Sequence, residues 1–150
     1  MVDSRSGLVS VVLVNFRGAD DTLEAIGHLG ELDWSTDRLE IVVVENASGD
    51  DSAARIRDAA PHVKLVVSKT NEGFAGGCNR GVAASNGEFI ALLNNDARPD
   101  AGWGRSAMEK FAESADIGAV ASRVLDWEGE LVDYIGAAMT WYGMGYKPFT

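Results

Sequence analysis

The stretch LVSVVLV, residues Leu8 to Val14, decides the fold, because it is valine-rich and apolar at nearly every position. A strand with one face in water alternates apolar and polar residues, whereas a strand covered on both faces is apolar throughout. Leu39 to Val44 (LEIVVV) repeats the pattern after a segment in which Leu23, Ile26 and Leu29 recur at helical spacing. The two runs therefore predict buried, parallel strands joined by a helix.

Strands and helices continue to alternate along the rest of the chain. Asp21 to Glu24 has the spacing of a capping box, which predicts a helix from there to about Trp34. The other predicted helices are 53–60, ended by Pro61, then a small-residue segment from Phe74, and 103–114; the other predicted strands are 63–67, 88–93 and 117–121. Strict alternation of this kind is typical of an α/β fold with an open, mostly parallel, Rossmann-like sheet and helices on both faces.

Composition and charge exclude several classes of function. The chain has 150 residues and a net charge of -10, and so acidic a surface repels nucleic acid unless it carries a local basic stripe, which the sequence lacks. A single cysteine, Cys78, cannot form an internal disulfide and is predicted to be a small packing residue. Leu8–Val14 is too short to span a bilayer and no signal cleavage site follows it, so we expect a cytoplasmic location and no nucleic-acid partner.

Polar clusters follow four of the predicted strands. They are Asn15-Phe16, Glu45 to Ser48, Ser68 to Gly73, and Asn94-Asn95-Asp96. Ligands of open α/β sheets bind beyond the carboxyl ends of the strands, where these clusters converge. The sequence therefore predicts one ligand site at that edge of the sheet.

Several common uses of this fold class are excluded by missing motifs. The first strand is followed by Asn15-Phe16-Arg17-Gly18 rather than by the G-x-G-x-x-G loop of a dinucleotide site. The chain also lacks a P-loop and the G-x-S-x-G elbow of a hydrolase. A sugar nucleotidyltransferase, which shares the broad architecture, is kept as an alternative enzyme class; it would show a glycine-rich basic loop after the first strand, where this chain has Asn15-Phe16-Arg17.

The loop NEGFAGGCNRG, residues Asn71 to Gly81, carries a more specific resemblance together with Val11–Phe16, Val43–Ser48 and Asn94–Asp96. In combination these segments resemble the donor-binding half of family-2 glycosyltransferases of the GT-A fold, especially the rhamnosyltransferase-like members. The resemblance implies an inverting enzyme that transfers a sugar, with dTDP-rhamnose as a candidate, from a nucleotide-diphosphate donor to a polysaccharide or glycolipid. It also implies that the full-length protein associates peripherally with the inner face of the membrane.

The resemblance assigns roles to residues at the four strand ends. Asn94 to Asp96 is a variant of the family's D-x-D motif, with Asp96 as the ligand of Mg²⁺ or Mn²⁺, hard cations that need only one or two carboxylates beside phosphate oxygens. Glu45 stands where the family commonly has an aspartate contacting the base or ribose. The residues expected to bind the nucleotide sugar are Asn15, Phe16, Glu45, Asn46, Asn71, Gly73, Phe74, Asn79, Asn94 and Asn95. Arg80 and Arg98 are the nearest candidate cations for the diphosphate.

The end of the chain differs from the rest. Residues 127–150 hold six aromatic residues, half of those in the chain, and we expect them to pack on a partner, such as a second copy of the protein, or on further polypeptide of a longer protein. Glu128-Gly129-Glu130 predicts a hairpin turn. We therefore expect residues 1–126 to form the nucleotide-sugar-binding domain and residues 127–150 to begin an incomplete acceptor-side region.

The catalytic base of the family lies in that acceptor-side half, and no residue of this chain is assigned to it. The resemblance thus implies a truncated catalytic domain, the donor-binding portion of a larger enzyme. A non-catalytic interaction domain that kept the GT-A fold is the alternative from another class, with the aromatic tail as its docking surface.

Overall fold

A computed structural model of the protein describes residues 7–134, 138–139 and 145–146. The chain alternates strands and helices up to residue 113 and then forms two short hairpins. The elements are β1 Val9–Asn15, α1 Ala19–Gly30, β2 Leu39–Glu45, α2 Ser52–Ala59, β3 Lys64–Val67, α3 Gly73–Ala84, β4 Phe89–Leu92, α4 Trp103–Glu113, β5 Val124–Leu125, β6 Val132–Tyr134, β7 Ala138–Met139 and β8 Gly145–Tyr146.

The first four strands form a parallel sheet in the order β3-β2-β1-β4. Every residue of β1 is buried, and β2 is buried from Ile41 onward. Continuous valine runs suit these two central strands because both of their faces are covered. The predicted α/β class with a mostly parallel sheet is confirmed.

The helices cover the two faces of this sheet in the way that right-handed crossovers require. α1 and α2 pack against each other, while α3 packs on β1 and β2. Gly77 and Gly81 of α3 approach the side chains of Val12, Val14 and Val44. Since side chains alternate along a strand, Leu13 and Asn15 point to the opposite face, where Asn15 contacts α1 through Thr22.

α1 begins two residues before the predicted capping box. Its N-cap is Gly18, which makes no side-chain capping bond, and Asp20 and Asp21 both lie in the first turn. The capping box is therefore not formed; the carbonyl of Gly18 instead accepts the hydroxyl of Thr22 at 2.8 Å. Carboxylates in a first turn still stabilise the helix by interacting with its dipole.

The prediction of a fifth parallel strand at 117–121 is wrong. These residues form no strand, and they find no ladder partner within the part of the chain that the structure describes. Gly118, Ala119 and Ala121 have low strand propensity, so only a neighbouring strand would hold the segment extended. The turn predicted at Glu128 to Glu130 is confirmed: β5 and β6 pair antiparallel, and the Asp126 carboxylate accepts the backbone amides of Glu130 and Leu131.

The chain forms two compact units, one through Arg105 and the other from Ser106. The boundary predicted after residue 126 divides a donor-binding region from an acceptor-side region, which is a division by function. It stays a prediction, because the two compact units are defined by packing alone. Half of the residues 127–150 lie outside the described part of the chain, although Trp127 is described and is exposed. No helix among residues 7–134 combines the length and apolar character that crossing a bilayer requires.

Candidate functional site

A cleft of about 270 Å³ lies at the carboxyl edge of the parallel sheet. Six of the ten residues predicted to bind the donor line it, so the structure brings together polar groups that are far apart in sequence. The lining residues are Val14, Phe16, Asn46, Asn71, Gly73, Phe74 and Asn95. Aromatic walls with a few converging amides are typical of a small-molecule site.

The link from β1 to α1 has only three residues, Phe16 to Gly18, and it places the Phe16 ring on the cleft. Asn15 anchors this link from below and is fully buried. Its Oδ1 accepts the amide of Gly18 at 3.3 Å and the hydroxyl of Thr22 at 3.0 Å, while its Nδ2 donates to Ser48 Oγ at 3.3 Å. So short a link has no room for a glycine-rich phosphate loop, which argues against a sugar nucleotidyltransferase.

The end of β2 turns sharply beside this link. Glu45 is 4% exposed, and its Oε1 accepts the backbone amide of Ser48 at 2.8 Å. Ala47 has a left-handed backbone with φ of 59°. Ser48 is buried, and its oxygens accept three hydrogen bonds from Asn15 and Arg17. The carboxylate of Glu45 therefore shapes the turn that joins the first two strand ends.

Asn46 connects the end of β2 to the start of α3. Its Nδ2 donates to Asn71 Oδ1 at 3.1 Å and to the carbonyl of Gly73 at 3.0 Å, and its Oδ1 accepts the amide of Glu72 at 3.1 Å. Asn71 Oδ1 also accepts the amide of Gly73 at 2.8 Å. These bonds hold the first turn of α3, with the exposed ring of Phe74, against the cleft. Both hydrogens of Asn46 Nδ2 and its Oδ1 are bonded within the protein, so this side chain positions the wall of the site.

The end of β4 carries the Asn94-Asn95-Asp96 motif. Asn95 lines the cleft and donates from Nδ2 to Thr22 Oγ1 at 3.2 Å. Asp96 follows directly and is exposed. Among the described residues no three His, Cys, Asp or Glu side chains come together. The single carboxylate of Asp96 fits a hard cation that is also bound by phosphate oxygens of a ligand. It does not fit a cation site made entirely of protein side chains.

The remaining predicted residues lie apart from the cleft lining. Asn15 and Glu45 are buried below it, Asn94 and Asp96 are exposed beside it, and Asn79 is exposed further along α3. Their roles in donor binding stay predictions.

Two other side chains of α3 have structural partners. Arg80 forms an ion pair with Glu72. The positive charge that was expected to bind the diphosphate is therefore partly neutralised by Glu72. Cys78 is buried, as predicted, and burial raises the pKa of its thiol. A thiol with a raised pKa is a poor nucleophile, which agrees with a packing role.

Sequence reasoning missed Arg17 and Ser48 as parts of the site. The Arg17 guanidinium lies 5.1 Å from the centroid of the Phe16 ring. No sequence pattern near Arg17 predicts this contact, because the contact depends on a left-handed backbone at Arg17 and on Ser48 from the neighbouring loop. The position of Ser48 at a strand end was the only hint.

Comparison with known proteins agrees with this geometry. The family described as glycosyl transferase family 2 matches residues 10–145. Succinoglycan biosynthesis protein ExoO from Rhizobium meliloti is 33% identical over 95 residues, which are 61% of this chain and 27% of that protein. An uncharacterized glycosyltransferase from Nostoc sp. is 31% identical over 91 residues, 59% of this chain and 28% of that protein. The chain thus spans about a quarter of the length of these relatives.

Solved structures support the same relationship. The mannosyltransferase PcManGT from Pyrobaculum calidifontis, in complex with GDP-Man and Mn²⁺, is similar with a TM-score of 0.63 and 25% identity over 70% of this chain and 32% of that one. S. aureus TarS 1-349 in complex with UDP-GlcNAc shares the fold, with a TM-score of 0.61 and 22% identity over 70% of this chain and 31% of that one. Since the family match covers nearly the whole sequence and the cleft lies where the fold binds its ligands, the chain belongs to glycosyl transferase family 2.

Proposed function

We propose that this chain forms the nucleotide-sugar-binding part of a glycosyltransferase that works with a divalent cation. The observation that carries the proposal is the cleft at the carboxyl edge of the sheet, where Phe16, Asn71 and Phe74 meet Asn95 next to the exposed Asp96. Membership in glycosyl transferase family 2 supports sugar transfer as the class of reaction. The arrangement suits a ligand with one flat apolar part and one anionic part.

The flat part is the nucleoside of the donor. Phe16 and Phe74 are 44% and 59% exposed, so both rings are available to pack on a base or ribose. Asn71 uses its Oδ1 within the loop, which leaves its Nδ2 for the ligand, because the described residues give that nitrogen no hydrogen-bond partner. These side chains bind and orient the nucleoside without changing their contacts to the protein.

The anionic part is the diphosphate, which we place toward Asp96. When bound, Mg²⁺ or Mn²⁺ supplies positive charge that stabilises the negative charge developing on the diphosphate leaving group. Asp96 would hold the cation, and Asn94 and Asn95 would orient Asp96 and bind the ribose. The chain provides a single carboxylate there, so we expect the cation to bind weakly without a nucleotide and tightly with one.

The finer parts of the proposal follow from the relatives. PcManGT was solved with GDP-Man and Mn²⁺, and TarS was solved with UDP-GlcNAc, so donors with different bases fit this fold. dTDP-rhamnose remains our candidate donor. We propose transfer with inversion to a polysaccharide or glycolipid, catalysed by the whole protein on the cytoplasmic side of the membrane; succinoglycan biosynthesis protein ExoO supports a polysaccharide product.

Calorimetric titration tests the proposal. UDP, dTDP and GDP are titrated into the protein with Mn²⁺, and again with EDTA. We expect one of the three to bind at least about tenfold more tightly with Mn²⁺, which corresponds to about 1.4 kcal/mol. Asp96→Ala should abolish this metal-dependent gain. Asp58→Ala, which removes an exposed carboxylate in the last turn of α2, at the helix end that points away from the carboxyl edge of the sheet, is the matched control and should bind like wild type.

Two results would contradict the proposal. If none of the three nucleotides binds wild type in the presence of Mn²⁺, the chain is better explained as an interaction domain that kept only the fold. If a nucleotide binds equally well with EDTA and with Asp96→Ala, the site is a nucleotide site without the proposed cation.

A further inference from the structure

Arg17 has a backbone conformation that an arginine residue does not favour. Its φ is 59°, in the left-handed region that residues with a Cβ atom seldom adopt. Such a conformation persists only where the surrounding structure imposes it, and observed cases concentrate at ligand sites. The cause of this one can be followed through the hydrogen bonds of its loop.

Ser48, from the loop after β2, holds both ends of Arg17. The backbone amide of Arg17 donates to Ser48 Oγ at 3.0 Å, and its side-chain Nε donates to the carbonyl oxygen of Ser48 at 3.1 Å. Ser48 is itself 2% exposed and fixed by Asn15 and Glu45. The arginine side chain is therefore restrained at its backbone and again at the start of its guanidinium.

The restrained guanidinium lies over the ring of Phe16, 5.1 Å from the ring centroid. This distance is within the range in which a cation is attracted to an aromatic face. Phe16 directly follows the buried strand β1 and lines the cleft. Its side chain is 44% exposed. A half-exposed ring on a short link would otherwise be free to change its rotamer, so the contact with Arg17 keeps it at the cleft wall.

The charges around Arg17 agree with this role. The pKa of the neighbouring Asp50 is lowered, mainly by hydrogen bonds from Ser52 and in part by the charge of Arg17, so Asp50 is a carboxylate at neutral pH. In the part of the chain that the structure describes, Nη1 and Nη2 of Arg17 form no hydrogen bond. The guanidinium therefore has one fixed edge and one face in contact with the ring.

We infer that Arg17 is a positioning residue, which holds the Phe16 ring as the wall of the cleft that binds the nucleoside of the donor. The inference rests on the proposed function for its ligand. It deepens that proposal because it identifies what fixes the aromatic surface on which the nucleoside packs. Arg17 acts through Phe16 and does not need to touch the donor.

A double-mutant cycle on nucleotide binding tests this role. We measure the Kd of the tightest-binding nucleoside diphosphate for wild type, Arg17→Ala, Phe16→Ala and the double variant. Arg17→Ala should weaken binding by roughly two- to fivefold, the range of an exposed cation–aromatic contact. Once Phe16 is alanine, removing Arg17 should change the Kd by less than about 1.5-fold, since a residue acting through Phe16 has nothing left to position. Equal losses in both backgrounds would overturn the inference.

The matched control is Arg105→Ala, which removes one positive charge at an exposed ion pair with Asp33. It should leave the Kd unchanged, which separates positioning from a loss of overall charge. A Kd that weakens equally in Arg105→Ala would show that net charge alone is responsible.

Fluorine NMR supplies a readout that needs no ligand. The protein is labelled with 4-fluorophenylalanine at its five Phe residues, and the Phe16 signal is assigned with Phe16→Leu. In Arg17→Ala we expect the solvent isotope shift of the Phe16 signal between H₂O and D₂O to increase, because the ring becomes more exposed. An isotope shift identical to that of wild type would refute the positioning role, whereas a wild type that binds no nucleotide would refute only the proposed function.

Discussion

Replacing Gly81 with alanine adds a methyl group where α3 lies closest to the sheet. An ideal Cβ atom at this position would lie 2.2 Å from Val12 Cγ1 and 3.2 Å from Val44 Cγ2. Carbon atoms in good contact are about 3.5 to 4.0 Å apart, so α3 or Val12 would have to move by more than about 1 Å. Val12 is 1% exposed and Val44 is fully buried, so neither side chain has space to yield.

The expected cost can be worked out from two opposing effects. Overpacking of a core costs about 1 to 3 kcal/mol, and the close approach at Gly81 places this variant at the upper end. Alanine in a helix interior gains about 1 kcal/mol over glycine through its helix propensity. We therefore expect Gly81→Ala to lower the free energy of unfolding by about 2 kcal/mol.

Urea unfolding followed by circular dichroism measures this change. Gly27→Ala in α1 is the matched control, because an added Cβ atom there meets nothing within 4 Å. That variant should be as stable as wild type or more stable by up to about 1 kcal/mol, since only the helix propensity changes. A Gly81→Ala protein as stable as Gly27→Ala would refute the close packing of α3 on β1 and β2.

Three further outcomes are expected. Asn46→Ala should lower the free energy of unfolding by about 2 to 3 kcal/mol and weaken nucleotide binding, because it removes the three hydrogen bonds by which a buried side chain holds the loop before α3; thermal unfolding and calorimetry measure both. At pH 7 Glu40→Gln should be less stable than wild type by about 1 kcal/mol, because the Glu40 carboxylate accepts bonds from Ser10 and Asn86. Burial raises the pKa of Glu40, but these bonds and Lys64 outweigh it, so the folded pKa is lowered; the carboxylate's contribution is present above the unfolded pKa of 4.5 and is lost as the pH falls through the folded pKa, which urea unfolding at pH 7 and pH 4 measures. The buried Cys78 should react with a thiol reagent at pH 8 only after unfolding, and rapid reaction of the native protein would contradict its placement.

The sheet could be predicted from the sequence because its strands satisfy a local rule. β1 to β4 are apolar runs bounded by turn residues, and each starts and ends within about a residue of its predicted bounds. The run at 117–121 satisfies the same rule and forms no strand, since strand formation also needs a pairing partner that a local pattern does not reveal. The predicted start of α1 is two residues late for a similar reason: the helix begins where Gly18 and Thr22 bond to Asn15 of the preceding strand, a contact that the local pattern does not reveal.

The candidate site was predictable at the level of its edge rather than its contacts. Parallel strands place their carboxyl ends together, so polar residues after four strands had to converge. Which of them face the cleft depends on the pleat and on the loop backbone. Asn15 and Glu45 do not line the cleft and are buried in hydrogen bonds to the loops, so their predicted contacts with the donor stay predictions. The left-handed conformation of Arg17 could not be anticipated, because sequence rules assign that region to glycine.

The most direct test of the central claim is a crystal structure of the protein with its tightest-binding nucleoside diphosphate and Mn²⁺, recorded with anomalous scattering. We expect a single manganese peak within coordination distance of the Asp96 carboxylate, with the nucleoside between Phe16 and Asn71. A nucleotide bound elsewhere, or a manganese peak that makes no contact with Asp96, would contradict the account.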